Sequence, residues 1–227
     1  AGDGTQTGTQ NVAVGQEALS AVAGNTNTAV GTFSLNVCTG SDNTAVGMLA
    51  GGSLTSGSNC LFVGHDAGRT GSPGGNHTTS NNALVLGDEN IAAAHIQVDW
   101  TVASDQRDKT DFTALDVGLD FVNALKPVTY KWDKRSKYGD KTADDYDLNN
   151  ITTDGTHKED WLDIGFKAQE VEAIEKAAGY KIADKTNLTT SLTGDGKQYG
   201  IQYAKFVPIL VKAIQELTAR IKTLEDG

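Results

Sequence analysis

The chain has 227 residues and a formal net charge of −10, with 19 basic and 29 acidic side chains. This length predicts one or two domains. The acidic balance, without a basic stripe, argues against binding to the phosphates of nucleic acid. Because the sequence has neither a secretion-signal pattern nor an apolar run approaching ~18 residues, membrane insertion is not predicted.

Charge and composition divide the chain near residue 103. Residues 1–103 are rich in Gly, Asn and Thr and hold Arg69 as their one basic residue, with seven acidic residues. Residues 104–227 hold the other 18 basic residues and 22 acidic ones, which is typical of an α+β domain. We therefore predict two domains, at 1–103 and 104–227. Since the sequence begins without an initiator Met, we also expect it to be the C-terminal part of a longer chain.

The first domain contains a repeat with a period of 16 residues. Its core, Asn-Val-Ala-Val-Gly, begins at Asn11, and close copies begin at Asn27 and Asn43. A looser copy with one inserted residue begins at Asn59, and the last begins at Asn82 after a Gly/Ser/Thr-rich interruption. A short fixed period with glycine-bounded Ala and Val cores is typical of a β-solenoid. Cys38 and Cys60 are too few for a disulfide framework, and we expect both to be buried.

The repeat also predicts the structure of each coil. Each 16-residue coil can hold two short strands and two turns, with glycine supplying positive φ at the corners. Asn11, Asn27, Asn43 and Asn59 would stack about 4.8 Å apart and form a hydrogen-bonding ladder. Such a narrow coil leaves an apolar side uncovered, so association between chains is expected. The alternative, a flexible Gly-rich linker, does not explain the fixed register.

These repeats resemble the head repeats of trimeric autotransporter adhesins and repeats in phage tail-fibre proteins. The resemblance covers roughly residues 8–68. It implies a homotrimer in which each chain forms a narrow β-roll.

Hydrophobic periodicity predicts the elements that follow the repeat. Alternation over 91–103 predicts a half-buried strand that leads into Ser104. Apolar spacing over 111–125 predicts a short amphipathic helix that ends before Pro127. Further expectations are strands at 128–132 and 162–166, a helix at 168–174, a hairpin turn at 194–196 and an exposed polar insertion at 133–160.

A C-terminal helix is predicted over residues 204–224. Its apolar residues are spaced alternately three and four apart and form a heptad seam: Val207, Leu210, Ile214, Leu217, Ile221 and Leu224. Pro208 is tolerated because it lies in the first turn. The seam indicates helix association, but about two and a half heptads are too few to decide the number of chains.

Four sequence blocks after residue 103 resemble the C-terminal intramolecular chaperone of phage tail spikes and fibres, which also occurs in phage endosialidases and the myelin regulatory factor. The blocks are Ser-Asp-x-x-x-Lys at 104–109, Leu-Lys-Pro-Val-Thr-Tyr-Lys-Trp at 125–132, Gly-Phe-Lys-Ala-Gln-Glu-Val-Glu at 165–172 and Val-Pro-Ile-Leu-Val-Lys-Ala-Ile-Gln-Glu-Leu at 207–217. The resemblance implies a domain that trimerises, guides folding of the preceding β-rich shaft and is released by autoproteolysis. The polar stretch at 133–160 departs from the pattern.

The resemblance implies a catalytic dyad in which Ser104 is the nucleophile and Lys109 the general base. A serine hydroxyl is a weak nucleophile without an adjacent base. A lysine accepts a proton only when it is neutral, which burial favours. We therefore expect the dyad to become active once assembly buries Lys109. Because residues five apart share no face of a helix or strand, residues 104–109 must fold back in a turn.

The position of the cut and the role of Ser104 each leave an alternative. Attack on the preceding carbonyl favours cutting between Ala103 and Ser104, and the bond between Ser104 and Asp105 is the second choice. Asp105 and Arg107 are candidates for shaping the turn. In the simpler interpretation, Ser104 only caps that turn.

The predicted fold is a trimeric β-solenoid followed by an α+β chaperone domain that ends in a long helix. The predicted function is the distal part of a viral tail fibre or spike in the virion, with the chaperone released in the host cytoplasm during assembly. Its expected partners are two identical chains, the rest of the fibre N-terminal to this chain and, as a candidate, a host cell-surface receptor. The alternative is a bacterial trimeric surface adhesin with a permanent, non-cleaving trimerisation domain. A conventional hydrolase is disfavoured because no pocket-forming motif is visible. We expect neither a cofactor nor a metal, since the histidines show no ligand spacing.

Overall fold

The computed structural model describes residues 7–141 and 143–227, so residues 1–6 of the predicted first domain and residue 142 of the polar stretch lie outside it. The described chain forms two compact units. The first contains the residues up to 93 together with 131–161 and 193–198, and the second contains 94–130, 162–192 and 199–227. The domain boundary between residues 103 and 104 stays a prediction.

Parallel strands in the first unit form the predicted solenoid. Along one sheet they are β1 (Val12–Val14), β2 (Thr28–Val30), β3 (Thr44–Val46), β4 (Leu61–Val63) and β5 (Leu84–Leu86). Ala29 pairs with Ala45, and Ala45 pairs with Phe62 one residue beyond the 16-residue period. The predicted mainly β architecture is confirmed. Of the two strands that each coil can hold, the described coils form one, because the return side consists of turns whose amides bond the next coil without forming a strand ladder.

The middle residue of each central strand points into a narrow core. Ala29, Ala45 and Phe62 are fully buried there, and the free thiols of Cys38 and Cys60 are buried as predicted. The residues on either side of these middle positions point outwards. Several of them are exposed apolar side chains: Val12, Val14, Val46, Leu61, Val63, Leu84 and Leu86. One side of the sheet is therefore an uncovered apolar surface.

Buried asparagines join successive coils. Their side chains bond to the backbone of the next coil instead of to another asparagine side chain. Asn27 Oδ1 accepts a hydrogen bond from the Asn43 amide at 3.0 Å, and Asn43 Oδ1 accepts one from the Cys60 amide at 3.0 Å. The prediction that Asn59 continues the ladder is wrong. The residue inserted before β4 shifts the register, so Cys60 occupies the ladder position and Asn59 lies at the corner with φ of 56°.

The second unit is built from helices and two-stranded sheets. Its elements are α1 (Leu119–Ala124), β6 (Val128–Tyr130), β7 (Asp163–Gly165), α2 (Ala168–Ala177), β8 (Thr190–Leu192), β9 (Tyr199–Ile201) and α3 (Phe206–Glu225). The pairs β6–β7 and β8–β9 are antiparallel. The buried core contains Val117, Phe121, Val171, Phe206 and Ile209. This unit confirms the predicted α+β class with a long C-terminal helix.

Two predicted elements differ from the structure. The helix expected over 111–125 begins only at Leu119, whose amide donates to Glu216 Oε2 of α3 at 2.8 Å. Asp111, with φ of 54°, cannot belong to a right-handed helix. The strand expected over 91–103 is absent, since this stretch is exposed and pairs with none of the described strands.

The close approach of the coils predicts that a methyl group at Gly31 is strongly destabilising. Gly31 has φ of 135°, and an added Cβ would lie 2.3 Å from the Gly47 carbonyl oxygen. We expect Gly31→Ala to lower the free energy of unfolding by more than ~2 kcal/mol. Gly194→Ala is the control, because no atom lies within 4 Å of a Cβ there. Equal thermal midpoints for the two variants would contradict the stacking described above.

Glu175 provides a prediction about pH. Its carboxylate is 1% exposed and accepts hydrogen bonds from the amides and hydroxyls of Thr189 and Thr190. Burial acts to raise the pKa of Glu175, but these hydrogen bonds hold that pKa below its usual value. The resulting stability is present above the ordinary carboxyl pKa of about 4.3 and is lost as pH falls through the lowered value.

We therefore expect Glu175→Gln to lower the free energy of unfolding at pH 7 by about 2 kcal/mol, because the amide cannot satisfy all of these donors. The stability lost between pH 7 and pH 3 should also be smaller in this variant. Denaturant unfolding at both pH values measures the two effects, with exposed Glu225→Gln as the control. An unchanged pH dependence in Glu175→Gln would show that this carboxylate is not a source of acid sensitivity.

Candidate active site

Ser104 and Lys109 face each other across a single 3-10 turn, Gln106–Asp108. Lys109 Nζ lies 2.6 Å from Ser104 Oγ and 3.2 Å from the Ser104 carbonyl oxygen. The fold-back required by the five-residue spacing is therefore present. The turn brings the predicted nucleophile and the predicted base into hydrogen-bond contact.

Asp105 and Arg107 build this turn. Asp105 is the N-cap, and its Oδ1 accepts the Arg107 amide hydrogen bond at 2.9 Å. The Arg107 guanidinium also bonds the carboxylate at 2.6 Å, which lowers the pKa of Asp105 and raises the pKa of Arg107. The capping role that the simpler interpretation gave to Ser104 thus belongs to Asp105. An Asp two residues before the amide that it caps is a recognisable turn signal, although sequence reasoning gave Asp105 no firm role.

The contact between Ser104 and Lys109 has the geometry that proton transfer requires. A general base must lie within about 2.6–3.2 Å of the atom that carries the proton. In the structure the Lys109 ammonium donates a hydrogen bond to the Ser104 hydroxyl. If the ammonium loses a proton, the lone pair on Nζ would face that same hydroxyl. In the single chain both residues are exposed, as are all residues from 90 to 114. A lysine base needs burial away from water, and the single chain does not bury Lys109.

The bond between Ala103 and Ser104 is the better placed of the two candidate cleavage sites. Attack of Ser104 Oγ on the Ala103 carbonyl carbon closes a five-membered ring. Attack on the carbonyl carbon of Ser104 itself would close a strained four-membered ring. Ring strain therefore favours the Ala103–Ser104 bond, although Lys109 Nζ also contacts the Ser104 carbonyl oxygen.

Along residues 7–141 and 143–227, no group of three or more His, Cys, Asp or Glu side chains is placed to hold a metal ion. Nor does this part of the chain contain a helix whose length and apolar character would suffice to cross a membrane.

Residues 104–180 match the model of a peptidase family that is described as the chaperone of endosialidase. The match covers about a third of the chain and begins at Ser104, the residue that faces Lys109. The match supports the resemblance to an intramolecular chaperone and includes three of the four sequence blocks, whereas the block at 207–217 lies beyond it. Among curated proteins and solved structures, none matches the chain.

Proposed function

We propose that this chain is the distal part of a trimeric viral tail fibre or spike, and that it cuts itself at Ser104. Its C-terminal domain would trimerise, guide folding of the solenoid and then be released in the host cytoplasm. The observation that carries the proposal is the 2.6 Å contact between Lys109 Nζ and Ser104 Oγ. This contact lies at the first residue of a chaperone-family domain that follows a β-solenoid.

The proposed cut proceeds through an ester. Neutral Lys109 takes the hydroxyl proton as Ser104 Oγ attacks the Ala103 carbonyl carbon. The Ser104 nitrogen then receives that proton and leaves, so the peptide bond is exchanged for an ester between Ala103 and Ser104 Oγ. Water hydrolyses this ester. The products are a chain that ends in the Ala103 carboxylate and a chain that begins with the Ser104 amine.

Two uncovered apolar surfaces support assembly. Helix α3 buries Phe206, Ile209 and Ala213 against its own unit, whereas the heptad seam points away from that core and is exposed. For example, Ile214 is 63% exposed. The outer side of the solenoid strands is the second such surface. Large apolar surfaces of this kind mark sites of association, and two identical chains are the proposed partners.

Assembly would also supply the desolvation that Lys109 lacks in a single chain. The stretch from residue 94 to residue 104 carries four large apolar side chains that are exposed, at Ile96, Val98, Trp100 and Val102. Covering them in a trimer would exclude water beside Ser104 and favour the neutral form of the lysine. Cutting would then follow folding and assembly, as the proposed chaperone role requires. A host cell-surface receptor remains a candidate partner of the solenoid.

The dyad predicts the result of three substitutions. Ser104→Ala removes the nucleophile and Lys109→Ala removes the base. Lys109→Arg keeps the positive charge but cannot act as a base. Each variant should cut at least about a hundredfold more slowly than the unmodified chain. Denaturing electrophoresis would show the 23.9 kDa chain in the variants. In proportion to their 103 and 124 residues, the unmodified protein would give fragments of about 11 and about 13 kDa.

Controls separate this chemistry from effects on assembly. Lys158→Arg makes the same exchange at an exposed position outside the turn and should cut at nearly the unmodified rate. Cutting by Lys109→Arg at the unmodified rate would show that Lys109 is not the base. Trimers that form from the unmodified chain and never cut would instead favour the bacterial adhesin with a permanent trimerisation domain.

The exposed seam predicts the oligomeric state. A Ser104→Ala chain, which cannot cut, should sediment at three times 23.9 kDa. Ile214→Asp places a charge on the seam and should weaken the trimer at least about tenfold. Gln215→Asp, at the next and exposed position, is the matched control. Sedimentation equilibrium measures all three, and a monomeric Ser104→Ala chain at micromolar concentration would contradict the proposed assembly.

A further inference from the structure

Two segments of the C-terminal half belong to the same compact unit as the solenoid. They are residues 131–161, the polar stretch that the sequence left without a role, and the hairpin turn 193–198. Both follow Ser104 in the sequence. A cut before Ser104 would therefore leave them and the solenoid on different pieces of the chain.

The polar stretch holds the end of the solenoid through Glu89. The Glu89 side chain is 7% exposed and forms an ion pair with Lys141. Lys134 Nζ donates to the Glu89 carbonyl oxygen at 3.0 Å. Glu89 lies just after β5, so these lysines bind the chain where it leaves the last coil.

The hairpin turn contacts the corner between β4 and β5, where paired residues are 23 positions apart instead of 16. Asp195 Oδ2 accepts the Asn76 amide hydrogen bond at 3.0 Å. Burial acts to raise the pKa of Asp195, but hydrogen bonds from Thr193, Asn76 and Lys197 lower it, so the carboxylate is held in its charged form. The Gly75 backbone also lies close to these side chains, since a Cβ added at Gly75 would lie 2.9 Å from both Thr193 Cβ and Asp195 Oδ1.

Arg135 joins the two segments to each other. Its guanidinium donates to the carbonyl oxygens of Leu148 and Lys197, each at 2.8 Å. Leu148 is 1% exposed. The contacts at Glu89 and at Asn76 are therefore made by one connected body, and we call this pair of contacts the clamp.

The charges on the two sides of the clamp are opposite where they meet at Glu89, which favours binding between the two pieces of chain. Residues 1–103 hold one basic and seven acidic residues. The part of the polar stretch at 131–141 holds five basic residues and only two acidic ones. The basic residues of the polar stretch are thus concentrated in the part that contacts Glu89 of the acidic solenoid, which is the local complementarity expected of a specific interface.

We infer that the clamp keeps the C-terminal half bound to the solenoid after the chain has been cut before Ser104. Cutting and release are then separate steps, because breaking one peptide bond leaves the contacts at Glu89 and Asp195 in place. The inference rests on the proposed cut for its biological meaning. Its test does not, because an added protease makes the break.

The test uses the full chain with Ser104→Ala and a recognition site for a sequence-specific protease inserted between the exposed residues Ala93 and Ala94. After cutting under native conditions, gel filtration and denaturing electrophoresis show whether the two pieces elute together. We expect them to co-elute. Lys141→Glu places a carboxylate against Glu89 and should raise the dissociation constant of the pieces at least about tenfold.

Two further variants guard against misfolding. Lys158→Glu makes the same charge change at an exposed position of the same segment and should leave the pieces together. The exchange Glu89→Lys with Lys141→Glu restores opposite charges and should recover co-elution, which a misfolded segment would not do. Pieces that separate without any clamp substitution, or that stay equally bound with Lys141→Glu, would overturn the inference. Whether the chain cuts itself is read separately from the Ser104 and Lys109 variants.

Discussion

The first unit depends on how closely the coils stack. A Cβ at Gly40 would lie 1.9 Å from the Gly57 carbonyl oxygen, so the backbones meet with no room for a side chain. The interior is mostly alanine and other small residues, and such a core buries little apolar area per coil. Peptide hydrogen bonds and the side chains of Asn27 and Asn43 must therefore carry much of the cohesion. Because these bonds form only between neighbouring coils, an isolated coil has little to hold it, which is a physical reason for a shaft of this kind to need help in folding.

Periodicity predicted the solenoid, and the predictions failed where the sequence departs locally from the period. The spacing of Asn11, Asn27 and Asn43 was enough to predict a solenoid, because one step of the period returns each residue to the same place in the next coil. The same reasoning failed at Asn59, where a single inserted residue moved Cys60 into the ladder. Alternation also predicted a strand over 91–103, but a strand needs a partner edge, and periodicity cannot show whether one exists.

The candidate site was predictable because it is local, and the clamp was not. The spacing between Ser104 and Lys109 required a turn, and the structure supplies one with Asp105 as its cap. By contrast, Glu89 and Lys141 are 52 residues apart, and Asn76 and Asp195 are 119 residues apart. No periodic pattern links such positions, so a stretch rich in Asp, Lys and Thr looked like a solvated insertion.

The enlarged last coil divides the shaft into a part that is free to vary in length and a part that is not. Coils before β4 share one period and pair with their neighbours in one register, so a whole 16-residue unit could be added or lost without shifting the register of the other coils. The span between β4 and β5 is 23 residues, and its corner is shaped to receive Asp195. The length of the solenoid could therefore change through its early coils, whereas a change in the final coil would also have to keep its contacts with residues 131–161 and 193–198.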